Sequence, residues 1–291
     1  MSKPHLVLRG ILLMLCAVLL FAAMDATAKS LTARYPVPML VWARYSVHCL
    51  LMLAFLLPSH GRRLWHTQRP VLQTVRALML LGVTGTTITA FRVLPLTVAT
   101  AIAFLAPLLV GLLSGPVLGE KSGRVEAIAL LVGLAGVLLI ARPGGDAPLG
   151  GVALAILGAL CYTAYQLLTR KLAPYESSVT MLFFTALVGM IITTVALPWT
   201  WSAIAPSPFD ALLIGMLGVL GGSGHYLLIR AFRLAPATAL APFLYAQMIW
   251  AGLFDFLVFR HVPDAPTWAG IGLIAAAGLG VALKTRFSRK A

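Results

Sequence analysis

The chain is a succession of apolar runs, each about 20 residues long, with most of its charges standing between them. The runs fall near residues 7–28, 37–57, 71–91, 95–118, 123–141, 149–170, 178–199, 210–230, 236–259 and 265–284. A segment of that length and character crosses a bilayer as a helix, because hydrocarbon offers backbone N–H and C=O groups no partner outside the segment itself. Ten such crossings use up the 291 residues with only short turns between them, marked by Pro36, Pro38, Pro58, Pro70, Pro95, Pro143, Pro148, Pro198, Pro236 and Pro263. The expected fold class is therefore all-α and integral to a membrane. Only 10% of the residues are charged, whereas soluble domains carry about a quarter, so composition also speaks against a water-soluble fold. The third and fifth runs are the weakest, because Arg76 and Glu126 shorten them, and both side chains are expected to snorkel towards an interface.

The formal charge of +14 would suit a nucleic-acid binder, but the basic residues do not form a basic face interleaved with aromatics. They record topology instead. If the N-terminus is cytoplasmic, only Lys29, Arg34, Arg92, Arg142 and Arg260 fall on the far side and Arg44 and Arg76 lie within spans. The rest, from Lys3 and Arg9 through Lys121 to Arg289 and Lys290, fall on the near side, and the positive-inside rule then places both termini in the cytoplasm. Anionic lipid headgroups are the expected partner for that charge. Cys16, Cys49 and Cys161 fall inside apolar runs at no metal-ligand spacing, and no cofactor or metal is implied. Lys3 and Arg9 ahead of Ile11 to Ala23 resemble a signal peptide, but that segment recurs later and is read as the first span.

The recurrence is an internal repeat. Ala90-Phe91-Arg92 with Pro95 and Thr97 reappears as Ala231-Phe232-Arg233 with Pro236 and Thr238, a shift of 141 (231 − 90). The same shift aligns Gly10, Leu13, Leu19, Ala23 and Leu31 with Gly151, Leu154, Leu160, Ala164 and Leu172. Each half, 1–145 and 146–291, holds an odd number of spans, so the second half enters the membrane from the opposite side. Two inverted five-helix repeats around a central cavity are the usual basis of alternating access in secondary transporters.

These residues resemble the drug/metabolite transporter superfamily, in its branch with two EamA-type repeats. Ala90 to Pro95, Ala106-Pro107, Gly119-Glu120 and Gly133 to Val137 match the first-repeat pattern; Ala231 to Pro236, Ala241-Pro242, Tyr245, Gln247 and Trp250 match the second. The resemblance implies a ten-helix bundle in the inner membrane of a bacterium, monomeric or otherwise, exporting small metabolites. A narrower likeness is to exporters of aromatic and neutral amino acids. One departure stands out: Arg260-His261 occupies the place where the second repeat commonly has Gly-Glu, and His261 is the repeat partner of Glu120.

Few groups inside the spans carry chemistry. Asp25, Lys29 and Arg44 are spaced so that a structural ion pair between neighbouring helices is the first reading, and Asp255 lies near the outer end of the ninth run. His225 follows the small-residue patch Gly221-Gly222-Ser223-Gly224, where another helix can approach closely; a packed histidine and a substrate contact are equally open. Tyr162, Tyr165 and Gln166 in the sixth run, and Tyr245, Gln247 and Trp250 in the ninth, offer hydrogen bonds and flat apolar faces suited to a zwitterion with an apolar side chain. Packing is the alternative for each. The substrate site is expected between the repeats, formed by Tyr162, Gln166, His225, Tyr245, Gln247 and Trp250, with Thr87 and Phe104 from the first half. The threonines of the third run more commonly bond back to their own helix carbonyls.

No nucleophile with a partner base, metal triad or facing carboxylate pair is visible, so the chain is read as no enzyme. The expected function is export of a small neutral or zwitterionic metabolite, an amino acid first, by facilitated diffusion or weak coupling. A drug, organic-cation, sugar or nucleotide-sugar carrier is the alternative within the class, although phosphates would call for cations at mid-depth. A channel or lipid scramblase is the alternative outside it.

Overall fold

The computed structural model describes residues 4–119, 124–142, 147–200, 205–235, 240 and 243–288. Of the residues named above, Lys3, Glu120, Lys121, Pro143, Pro236, Thr238, Ala241, Pro242, Arg289 and Lys290 lie outside them, as does the side chain of Glu126. Among the described residues all regular structure is helical: α1 (Pro4–Leu31), α2 (Val37–His60) with a 3-10 turn at Gly61–Leu64, α3 (Pro70–Phe91), α4 (Leu96–Ala103), α5 (Leu105–Leu118), α6 (Arg124–Ile140), α7 (Leu149–Leu172), α8 (Ser178–Thr200), α9 (Pro208–Leu234), α10 (Ala246–Leu257) and α11 (Ala265–Ser288).

Among the described residues seven segments are long and apolar enough to cross a membrane, α4 and α5 counting together as Leu96–Leu118. Three shorter apolar helices, Ala127–Ile140, Ala246–Leu257 and Ala265–Val281, stand at the fifth, ninth and tenth runs, and seven plus three gives the ten expected. Successive spans alternate in direction, so the start of α1 and the end of α11 share one side of the bundle, the N-face. The other side is the far face.

Local chemistry sets the helix ends. Pro70 and Pro208 open α3 and α9, where a missing N–H costs nothing, and the Ser207 hydroxyl accepts from the Asp210 N–H at 3.1 Å. The fourth run breaks at Phe104 because Pro107 has no N–H for the Ala103 carbonyl and its ring crowds it. In the loop before α11, the Asp264 carboxylate accepts the Thr267 N–H at 3.1 Å and pairs with Arg142, joining the end of α6 to the start of α11. Thr267 first, and then Arg142, hold that carboxyl below its usual range.

Packing follows the repeat. α1 lies against α9 and α10, and its counterpart α7 lies against α3 and against α4 and α5. α2 packs on α9 as α8 packs on α3, while α2 with α8 and α6 with α11 are each a helix meeting its own counterpart, and α4 meets α10, the counterpart of α5 in the same span. On that pseudo-twofold axis Phe104 meets Tyr245, its partner at the 141-residue shift, with ring centroids 4.8 Å apart. Small residues permit the closest crossings. A Cβ on Gly136 would come within 2.6 Å of the Gly270 carbonyl oxygen, and one on Gly270 within 2.5 Å of that of Gly136, so α6 and α11 touch backbone to backbone. The glycine patch of α9 works as expected: a Cβ on Gly224 would strike the Phe21 ring at 2.7 Å, and one on Gly222 the His48 ring at 3.2 Å.

Arg76 corrects one expectation. It does not snorkel; the residue is 1% exposed, inside the N-face third of the bundle. Its Nη2 donates to the Met181 carbonyl and to Thr185 Oγ1 at 2.6 Å, Nη1 to Thr169 Oγ1 at 3.3 Å, and Nε to Gln73 Oε1 at 3.3 Å. The guanidinium fork satisfies acceptors on α3, α7 and α8 together, which makes burial cheaper than a stretch to the interface.

The departure at Arg260 has a backbone consequence. Gly119 ends α5 in the left-handed region at φ 71, and its repeat counterpart Arg260 holds φ 55. Glycine takes that conformation freely; a side chain there costs about 1–2 kcal/mol. Arg260→Gly should therefore raise the thermal midpoint of the purified protein by about 2 °C, read by intrinsic fluorescence. A lowered midpoint would show that the Arg260 side chain contributes more than its backbone strain costs.

Candidate functional site

The charges inside the bundle divide into those consumed by backbone and those left partly accessible within the spans. At the far face, Lys29 in the last turn of α1 donates from Nζ to the carbonyl oxygens of Phe91, at 3.0 Å, and Leu94, where α3 ends. Asp255 of α10 is fully buried and receives the N–H of Leu96 at 2.9 Å, the N–H of Thr97 at 2.7 Å and the Thr97 hydroxyl at 2.6 Å, where α4 begins. A cation thus meets the carbonyl end of one helix and an anion the N–H end of the next, as the helix dipoles favour. Both residues are structural clamps on the 92–95 turn.

The expected ion pair of Asp25 with Lys29 and Arg44 is not formed. Lys29 spends its charge on the α3 carbonyls, which lie beside the last turn of α1. α1 and α2 scarcely touch because α9 lies between them: a Cβ on Gly221 would meet Met24 Sδ at 3.1 Å on one side and Arg44 Nε at 3.7 Å on the other. Among the described residues no basic nitrogen comes within 4.0 Å of the Asp25 carboxylate. Its hydrogen-bond partner is Gln247 of α10, whose Nε2 donates to Oδ2 at 3.3 Å.

The other expected site residues separate into two groups. His225 turns an edge to Phe21 at 4.9 Å and lies parallel to His48 of α2, with centroids 6.1 Å apart. Tyr162 and Tyr165 stack one turn apart on α7 at 5.8 Å, and Gln166 follows on that helix, half-buried. His225, Tyr162, Tyr165 and Gln166, with Asp25, Arg44, Gln247 and Phe104, keep partial exposure although they stand within their spans. The second group is packed. Tyr245 is 9% exposed, with its hydroxyl over Gly278 and its ring on Phe104. Trp250 packs with Met14 and Val18 of α1, and its Nε1 is buried with no hydrogen-bond partner. Thr87 faces Gly158 at the α3–α7 crossing, while Thr84, Thr86 and Thr89 donate to carbonyls of their own helix. Trp42 donates from Nε1 to Thr194 Oγ1 at 3.0 Å across α2 and α8.

Sequence reasoning passed over His48, which faces Gly222 and His225; its signal was the four-residue spacing from Arg44 on one face of α2. It also passed over Asp210, whose buried carboxylate takes Arg34 Nη1 at 2.9 Å and the Tyr35 hydroxyl at 2.8 Å at the far face. Among the described residues no three His, Cys, Asp or Glu side chains gather to hold a metal.

A helical bundle built from two matching halves, with ionisable groups kept partly accessible within its spans, is the architecture of a membrane transporter. The chain belongs to the EamA-like transporter family: the family's sequence profile matches it twice, over residues 8–142 and 149–283. It is similar to the S-adenosylmethionine uptake transporter of Rickettsia felis, 27% identical over 97% of this chain and 96% of that protein. It is 28% identical to the riboflavin transporter of Vibrio cholerae over 100% of this chain and 97% of that one. It is 29% identical to the pseudopaline exporter of Pseudomonas aeruginosa over 92% and 94% of the two chains. The family and these relatives are transporters and not enzymes. The relatives' named cargoes differ, and they do not single out amino-acid export.

The clamp assignment is testable. Asp255→Ala leaves two buried N–H groups without an acceptor and should destabilise the protein by about 3 kcal/mol, with Asp255→Asn milder, in denaturation followed by circular dichroism. Normal stability with transport abolished would instead make Asp255 a substrate ligand.

Proposed function

We propose that this chain is a secondary transporter moving a small neutral or zwitterionic metabolite of the amino-acid class by alternating access, in the export direction. The observation that carries this reading is a set of polar groups from both halves that stay partly accessible within the spans: Asp25 bonded to Gln247, His225 lying parallel to His48, and Arg44 beside Gly221. Hydrocarbon penalises such groups by roughly 2.5–3.5 kcal/mol each when ionised, so they persist where they serve a cargo path. The stacked Tyr162 and Tyr165, with Phe104, add the flat apolar surface that an amino-acid side chain needs, and Gln166 adds a polar group on the same helix as the tyrosines. Both signs of charge are represented, which suits a zwitterion better than the phosphates of a nucleotide sugar. Among the relatives, one is named an S-adenosylmethionine uptake transporter and one a pseudopaline exporter, so both directions are represented. In an alternating-access carrier the solute gradients choose between those directions.

Counterflow in proteoliposomes tests the class, with labelled phenylalanine, S-adenosylmethionine, riboflavin, a sugar and an organic cation. Saturable exchange of an amino-acid-type solute is expected. Exchange of riboflavin, sugar or cation alone would change the substrate class, and flux that neither saturates nor shows counterflow would make the protein a channel or scramblase.

The N-face is proposed to be cytoplasmic, in the inner membrane of a bacterium, because Arg9, Arg69, Arg124, Arg170, Lys171, Arg230 and Arg233 all stand on it. Single cysteines placed beside Arg62 or Arg124 should then label only from the cytoplasm, and those beside Arg142 or Ser207 only from outside. The reverse pattern would invert the molecule in the membrane.

A further inference from the structure

We infer that Asp25 and Arg44 are the two-point reader of the cargo's amino-acid headgroup, Asp25 receiving the ammonium and Arg44 the carboxylate, with His48 supporting the carboxylate side. This rests on the substrate class proposed above and assigns the residues that enforce it.

The other intramembrane charges are fully employed. Lys29 holds two carbonyls, Asp255 three donors and Arg76 four acceptors. Asp25 has instead a neutral amide on one oxygen, at 3.3 Å. Arg44 has five N–H donors and, among the described residues, no acceptor for them; the Tyr45 ring centroid lies 6.0 Å from its guanidinium carbon. Asp255 and Arg76 are sealed at 0% and 1% exposure, whereas Asp25 and Arg44 remain partly open.

These two opposite charges also stand apart. α1 and α2 are held off one another by α9, whose Gly221 and Gly222 present no side chain to the gap between them. Two unlike charges in a low-dielectric bundle close on each other unless packing holds them open, since an unpaired buried ion is costly. An α-amino acid carries the complementary charges on adjacent atoms and satisfies both residues at once. His48, one turn from Arg44, supplies the independent sign: it is 7% exposed, and its Nε2 is buried with no hydrogen-bond partner among the described residues, a vacancy next to the proposed carboxylate position.

The test compares phenylalanine with phenethylamine, which lacks the carboxylate, and 3-phenylpropionate, which lacks the ammonium, as competitors of counterflow and as thermal-shift ligands. Wild type should prefer phenylalanine to each analogue by about tenfold or more, the scale of a charged hydrogen bond. Asp25→Asn should weaken phenylalanine and erase its advantage over 3-phenylpropionate. Arg44→Gln should do so and erase its advantage over phenethylamine. Asp25→Glu and Arg44→Lys keep the charges and should retain part of the preference. Neither neutral variant should melt below wild type without ligand, because each removes a charge that lacks an ionic partner. If wild type exchanges phenylalanine but handles both analogues equally, or if the variants keep the wild-type preference, the headgroup assignment fails while the proposed function stands. A lower unliganded midpoint with an unchanged preference would make the two residues structural. If wild type carries riboflavin and no amino-acid-type solute, the proposed function itself fails and this assignment with it.

Discussion

In hydrocarbon a polar group must find its partners within the protein, and that requirement organises this molecule wherever its helices stop being regular. The turn between α3 and α4 is the clearest place. Residues 92–95 free carbonyls at one helix end and N–H groups at the next start, and both ends are met by charged side chains from other helices, Lys29 from α1 and Asp255 from α10. One residue comes from each half of the chain, so closing this turn also ties the repeats together. Arg76 performs the matching task near the N-face, where one guanidinium joins α3, α7 and α8.

The repeat supplies symmetry of shape without symmetry of chemistry. Helix contacts are paired about an axis that passes between Phe104 and Tyr245, yet the residues at equivalent positions differ. Asp255 corresponds to Ser114, whose hydroxyl donates to the Gly111 carbonyl of its own helix at 3.1 Å. Gly119 corresponds to Arg260, and a left-handed residue is free in one half and strained in the other. Alternating access needs two arrangements related by the repeat, and such inequalities set their relative energies. In the proposed alternating-access cycle, an ionic clamp present in one half and replaced by a local hydroxyl bond in the other makes the two arrangements unequal.

Much of this was written along the chain. Apolar length separated the spans, the 141-residue recurrence paired them, and the glycines of α9 announced a close crossing that Phe21 and His48 fill. These are properties that a residue carries with it: hydrophobicity, the absence of a side chain, a ring that removes an N–H. The threonines of α3 also kept to local rules, with Thr84, Thr86 and Thr89 bonding back to carbonyls four residues earlier.

The partners of the charged and aromatic residues were not legible. Asp25, Lys29 and Arg44 have the spacing of an ion pair, but the placement of α9 between α1 and α2 separates Arg44 from Asp25, and a helix end from elsewhere claims Lys29. Tyr245 and Trp250 share a helix with Gln247 and the same sequence-level promise; Gly278 and the α1 core take the first two, and Asp25 takes the third. The sequence alone determined that the chain spans a membrane as paired sets of helices, because crossing hydrocarbon is a demand that each segment meets by itself. Which polar group answers which depends on distances between segments far apart in the chain, and only the packed bundle decides those.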